Sequence, residues 1–171
     1  AARADQLYFS SAGNPPPLVR IMALAALRQQ AVNPRALRLL GYYADFRREP
    51  GKAMALINVA EKLSRREPGT QLWLIEASAR NGDNVRTLTH YDILLRTKPD
   101  SQAVLFPRLT SALDDAEIRK SLIPYMRTDK GWVTGFVYHA ISRSKDPASL
   151  VALLVEARGF PQTPALRNQS Q

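Results

Sequence analysis

Apolar residues return every three or four positions through most of the chain, and the stretch from 33 to 68 shows the pattern most plainly. Leu37, Leu40 and Ala44 share one helical face, Ala53, Ile57 and Ala60 share another, and Pro50-Gly51 stands between them. Side chains at those spacings stack on one side of an α-helix, and a proline beside a glycine ends one helix before the next begins. Asn33 ahead of Pro34 predicts the first helix start, because the asparagine side chain accepts an orphan amide hydrogen bond and proline is tolerated in the first turn. The segment predicts a helix pair.

A register shift of 34 residues places Leu40 on Leu74, Ala44 on Ser78, Glu49 on Asp83, Ala53 on Thr87, Ile57 on Tyr91 and Ala60 on Leu94. A second shift sets Ala112 under Ser78, Ser121 under Thr87 and Tyr125 under Tyr91, and a backward shift sets Pro34 under Pro68 and Ala26 under Ala60. A last unit follows if the spacing contracts by about five residues, with Asp146-Pro147 in place of Glu49-Pro50 and Ala157 in place of Ala60. The breakers GNPP, EPGK, NGDN, LDDA and SKDP then divide the chain into about five helix pairs, 1–31, 34–66, 69–98, 101–129 and 131–158.

With Leu37-x-x-Leu40-Gly41-x-x-Ala44 in a first helix, Ala53-x-x-x-Ile57-x-x-Ala60 in a second, and Pro68 or Pro99 closing units, the sequence resembles the tetratricopeptide repeat family. The repeats are degenerate: Gln71 and Ile75 replace the large apolar residue and the glycine in one unit, and Arg108 stands where a leucine is expected in the next. A related helical-hairpin solenoid outside the family fits the same residues. Small residues such as Ala44, Ala60, Ser78 and Ala112 allow close helix approach between units that cannot bury their apolar faces alone. The resemblance implies an all-α, right-handed superhelical solenoid of antiparallel helix pairs over residues 1–158, with function on a concave wall formed mostly by first helices.

On that register Tyr8, Tyr42, Glu76, Thr110 and His139 form one row of the wall, flanked by Arg35, Arg38, Asp45, Phe46, Leu72, Arg80, Phe106, Trp132 and Arg143. Arginine forks grip carboxylates or phosphates bidentately, and aromatic rings supply flat apolar anchors. The expected partner-binding set is Tyr8, Arg35, Arg38, Tyr42, Glu76, Arg80, Phe106, Trp132, His139 and Arg143. Many arginines, Arg47, Arg80 and Arg143 among them, also lie near predicted helix ends, where a cation favours the helix dipole and aids solubility. Trp73, Tyr91 and Tyr125 fall on apolar periodic positions and read as packing residues.

Charge adds a direction to this picture. The net charge of +9 favours acidic partners: an acidic protein face, nucleic acid, anionic headgroups or acidic glycans. Hydrophobic residues at 45% and charged residues at 23% describe a folded chain, and the longest apolar stretch, Ile21 to Leu27, falls short of the ~20 residues a membrane span needs. With no cysteine and two histidines, thiol chemistry and a multi-histidine metal centre are excluded, and no metalloprotease helix, nucleophile elbow or phosphate loop is present. His90 and Asp92 flank Tyr91 but point about 100° apart from it in turn, so His90 reads as a surface histidine. Asp114-Asp115 reads as a helix start and not as an acid–base pair.

Two functions follow. The first is a non-catalytic scaffold or adaptor, with no cofactor, that holds an acidic peptide or partner protein in an arginine- and aromatic-lined groove. The alternative is a binder of nucleic acid or another acidic polymer through the basic surface. Residues 159–171, with two prolines and a polar end, are expected to be a disordered tail. Beginning at Ala1 inside a repeat, the chain is expected to be the excised soluble part of a longer, membrane-anchored or periplasmic bacterial protein, with a cytoplasmic one as the alternative.

Overall fold

The computed structural model describes residues 17–128, 130–144 and 147–158. Every regular element among them is helical: α1 (Pro17–Gln29), α2 (Pro34–Phe46), α3 (Pro50–Leu63), α4 (Pro68–Arg80), α5 (Asn84–Thr97), α6 (Gln102–Ser111), α7 (Ala116–Met126), α8 (Val133–Arg143) and α9 (Pro147–Glu156). Short 3-10 turns occupy Pro99–Ser101 and Ala112–Asp114. The described chain is all-α, with helix breaks at NGDN and LDDA and at 47–49, so that Pro50 and Gly51 open α3 and do not stand between the helices as expected. The chain forms two compact units, 1–74 and 75–171, with the boundary inside α4. Tyr8 and the tail 159–171 lie outside the described residues.

In the first unit α2 packs against α1 and α3. Asn33 caps α2 as expected, its Oδ1 accepting the Ala36 amide at 3.0 Å. Val19 and Ala23 of α1 meet Ala36 and Leu39 of α2 in a fully buried cluster, bordered by Met22, Ala26, Leu27 and Leu40. The apolar register is wider than the sequence suggests: Leu39 is buried completely, whereas Leu37 and Leu40 are half-buried. A helix with neighbours on more than one side buries a broad arc, here Ala36, Arg38, Leu39, Gly41, Tyr42 and Ala44.

Gly41 marks the tightest approach. A Cβ there would lie 2.8 Å from Ile57 Cγ1 and 3.4 Å from the Ala53 carbonyl of α3. Since Ile57 is itself fully buried it has no room to swing away. Gly41→Leu should therefore destabilise by about 2–3 kcal/mol through overpacking, read as a lower urea midpoint; an unchanged midpoint would disprove the α2–α3 contact.

The turn that ends α2 has a counterpart in the second unit. Arg48 adopts φ 58°, its amide donating to the Asp45 carbonyl, while Glu49 donates to Ala44, both at 2.9 Å. At the end of α4 Gly82 adopts φ 69°, its amide donates to Ala79, and Asp83 donates to Ser78, both at 3.0 Å. These are the same Schellman closure, and positions 48 and 82 are one 34-residue register apart. Asp83 and Asp115 then cap α5 and α7 through their side chains.

In the second unit α6 packs against α8, α5 against α7, and α9 against α7 and α8. Trp132, Phe136, Leu105, Leu122 and Leu153 fill its core. The rings of Phe106 and Phe136 meet edge to face at 5.8 Å, and those of Trp132 and Phe136 at 6.3 Å. Both α6 and α7 carry a proline in their interiors, Pro107 and Pro124. Each deprives the carbonyl four residues back, Ala103 or Lys120, of its helical N–H partner.

Candidate functional site

The three side chains Arg38, Tyr42 and Asp45 lie at i, i+4 and i+7 on α2, the face expected to form the open wall. Within the first unit that stripe is instead a clasp on the start of α4. Arg38 Nε lies 3.0 Å from Glu67 Oε2, and the two are 3% and 7% exposed. The same carboxylate oxygen accepts the Thr70 amide at 2.6 Å and the Thr70 hydroxyl at 2.8 Å, so it also caps α4. The guanidinium sits 5.0 Å over the Tyr42 ring, whose hydroxyl donates to the Gly69 carbonyl at 2.6 Å. Trp73 Nε1 donates to Asp45 Oδ2 at 3.0 Å. Gly69 lets the two helices approach here, since a Cβ would lie 2.7 Å from Arg38 Cδ and the arginine would have to shift.

Five expected wall residues are buried within the described chain: Arg38 at 3%, Tyr42 at 8%, Phe106 at 5%, Thr110 at 8% and Trp132 at 2% exposure. The reason is partners distant in sequence. Trp132 begins the α8 end of the second core and donates through Nε1 to Asp92 Oδ1 at 3.0 Å, a carboxylate that also pairs with Arg96 at 2.8 Å. Phe106 packs against Phe136 and against the half-buried His139, 5.7 Å away. Arg35, Glu76, Arg80 and Arg143 are exposed. His90, expected at the surface, is also buried, because α5 buries residues around much of its circumference. Trp73 and Tyr91 occupy the packing positions expected of them.

Among the described residues, one concavity in each unit combines large apolar side chains with charged edges. In the first, a groove of about 480 Å³ has Leu24, Leu40, Tyr43 and Leu56 on its floor, with Arg20 and Arg47 on its rim. Lys52, also on the rim, pairs with Glu49 at 3.1 Å. Arg20 and Arg47 are exposed and form no ion pair with a described residue. Sequence reasoning missed this groove because it assigned Leu40 to the core and Arg47 to a helix end. In the second unit a cavity of about 570 Å³ has mainly apolar walls, including Ile75, Leu88, Tyr91, Leu109 and Ile118. Arg108 lines it, paired loosely with Glu76 at 3.7 Å; both are more than half exposed. Burial pushes the Tyr91 phenol above its ordinary value of 10.0, the Arg108 charge opposing the rise and Glu76 adding to it. The phenol therefore stays neutral at physiological pH.

No group of histidine, cysteine or carboxylate side chains suited to a metal ion occurs among the described residues. No described helix is long and apolar enough to cross a membrane. Comparisons with protein-family models, curated proteins and solved structures find no match.

Proposed function

We propose that the protein is a non-catalytic interaction scaffold built from tetratricopeptide-like helix pairs stacked as a solenoid, and that it holds an acidic, apolar peptide segment of a partner protein. The stacking is supported by the left-handed closures at Arg48 and Gly82, one register apart, and by like-helix contacts α5 with α7 and α6 with α8. The observation that carries the function is the groove of the first unit. Its floor is apolar, and Arg20 and Arg47 present guanidinium forks that have no carboxylate among the described residues. A carboxylate on an apolar stem satisfies both the floor and the forks.

The test is fluorescence anisotropy with a short labelled peptide of alternating leucine and glutamate. Arg20→Glu with Arg47→Glu should weaken capture by about tenfold or more, since attraction becomes repulsion. Melting should fall only slightly, since both side chains are exposed and the reversal of Arg47 at the α2 C-cap costs about 0.5–1 kcal/mol. Equal binding by the doubly reversed variant would sink the proposal. The net charge of +9 favours the second reading, an acidic-polymer binder. In that case a single-stranded oligonucleotide binds in place of the peptide, with affinity falling steeply as salt rises.

A further inference from the structure

The cavity of the second unit differs from the groove in the sign of its mouth. Around it stand the carboxylates of Glu76, Asp115 and Glu117, against the single guanidinium of Arg108. Asp115 spends one oxygen on the Glu117 and Ile118 amides, and Glu117 forms no ion pair with a described residue. An apolar cavity with an acidic mouth is thus set in a chain of net charge +9.

Its position is also where the repeat departs from pattern. Residue 108 is the register counterpart of Leu40 and Leu74, and here the apolar side chain is replaced by arginine. Leu74 is 1% exposed, whereas Arg108 is 55% exposed at the cavity edge. Ile75 and Tyr91 are the counterparts of Gly41 and Ile57. Where the first unit sets a glycine against an isoleucine, the second sets two bulky side chains, both in the cavity wall. All three replaced positions line the cavity.

We propose that this cavity is a second docking site, for a basic apolar peptide segment of a partner protein, whose lysine or arginine stem lies along Leu88, Leu109 and Ile118 and whose cation meets Glu76 and Glu117. Charge complementarity selects the occupant. The apolar walls accept the methylene stem of a long basic side chain, and the carboxylates at the mouth meet its charged end. The loose Glu76–Arg108 pair is exposed enough to open without a large cost. This site uses residues of the second unit alone, so it stands or falls separately from the groove.

The experiment is an NMR titration of the full chain with hexylamine and with hexanoate, probes of equal stem length and opposite charge. Hexylamine should shift the Thr87, Leu88 and Ile118 amides and bind at least threefold tighter than hexanoate. Glu76→Gln with Glu117→Gln should erase or reverse that preference, because Arg108 is then released. Arg108→Leu, which removes the competing cation and frees Glu76, should tighten hexylamine by at least threefold. Equal or tighter binding of hexanoate to the wild type overturns the proposal, as does the absence of shifts at those amides. Hexylamine binding that survives Arg108→Leu unchanged would place the site elsewhere and also overturn it. Arg20→Glu with Arg47→Glu, which tests the groove, should leave the hexylamine shifts unaltered.

Discussion

Replacing Glu67 with alanine is expected to destabilise the protein by about 3–5 kcal/mol, because it strips the carboxylate from a buried arginine. Arg38 is 3% exposed, and Glu67 lies 3.0 Å from its Nε. Without that acceptor the guanidinium keeps its desolvation cost and loses its main compensation. The first turn of α4 also loses the side-chain cap at Thr70. For a chain of this size the melting temperature should fall by about 10 °C. Arg38→Met with Glu67→Leu should be less damaging than Glu67→Ala alone, since replacing both charges leaves no unpaired ion. A Glu67→Ala variant within about 1 kcal/mol of wild type in urea would show that the pair carries no such weight.

Trp132→Ala should cost a similar amount, about 3–5 kcal/mol, from loss of a large side chain in a packed core. The indole is 2% exposed and touches the Tyr125 and Phe136 rings, at 6.1 and 6.3 Å. Trp132→Phe isolates the polar part. It keeps most of the volume and removes only the donor to Asp92 Oδ1, and Asp92 retains Arg96 as a partner. That change should cost about 1 kcal/mol. If Trp132→Ala instead melts like wild type but loses partner capture, the residue belongs to a binding wall and its interior placement is wrong.

These two side chains show where sequence legibility stops. Helix starts were readable because their signals are local: Asn33 and Asp115 each cap an amide two or three residues away. The packing of Trp73 and Tyr91 was readable from helical periodicity. Arg38 and Tyr42 were not, since the atoms that bury them belong to Glu67 and Gly69, 29 and 27 residues further along. An arginine without a nearby carboxylate reads as surface, and only the tertiary partner reverses that. Trp132 misleads for the same reason, its acceptor lying 40 residues back. Of the concavities, the second left a trace in Arg108, the residue that breaks the repeat. The first left none, because its floor and rim come from three helices and the turn between two of them, and each lining residue looks ordinary in its own segment.

The prolines of α6 and α7 bear on how this molecule opens. With Ala103 and Lys120 each short of a helical amide partner, neighbouring helices are missing one rung apiece. Water that enters a helix does so most cheaply at a carbonyl already in want of a donor. Amide protons of α6 and α7 should therefore exchange with solvent sooner than those of α2 and α3, where the interiors are free of proline. The cavity wall supplied by Arg108 and Leu109 stands directly after one of these gaps. The proposed occupant of that cavity would therefore press on a helix whose hydrogen-bond ladder already lacks a rung.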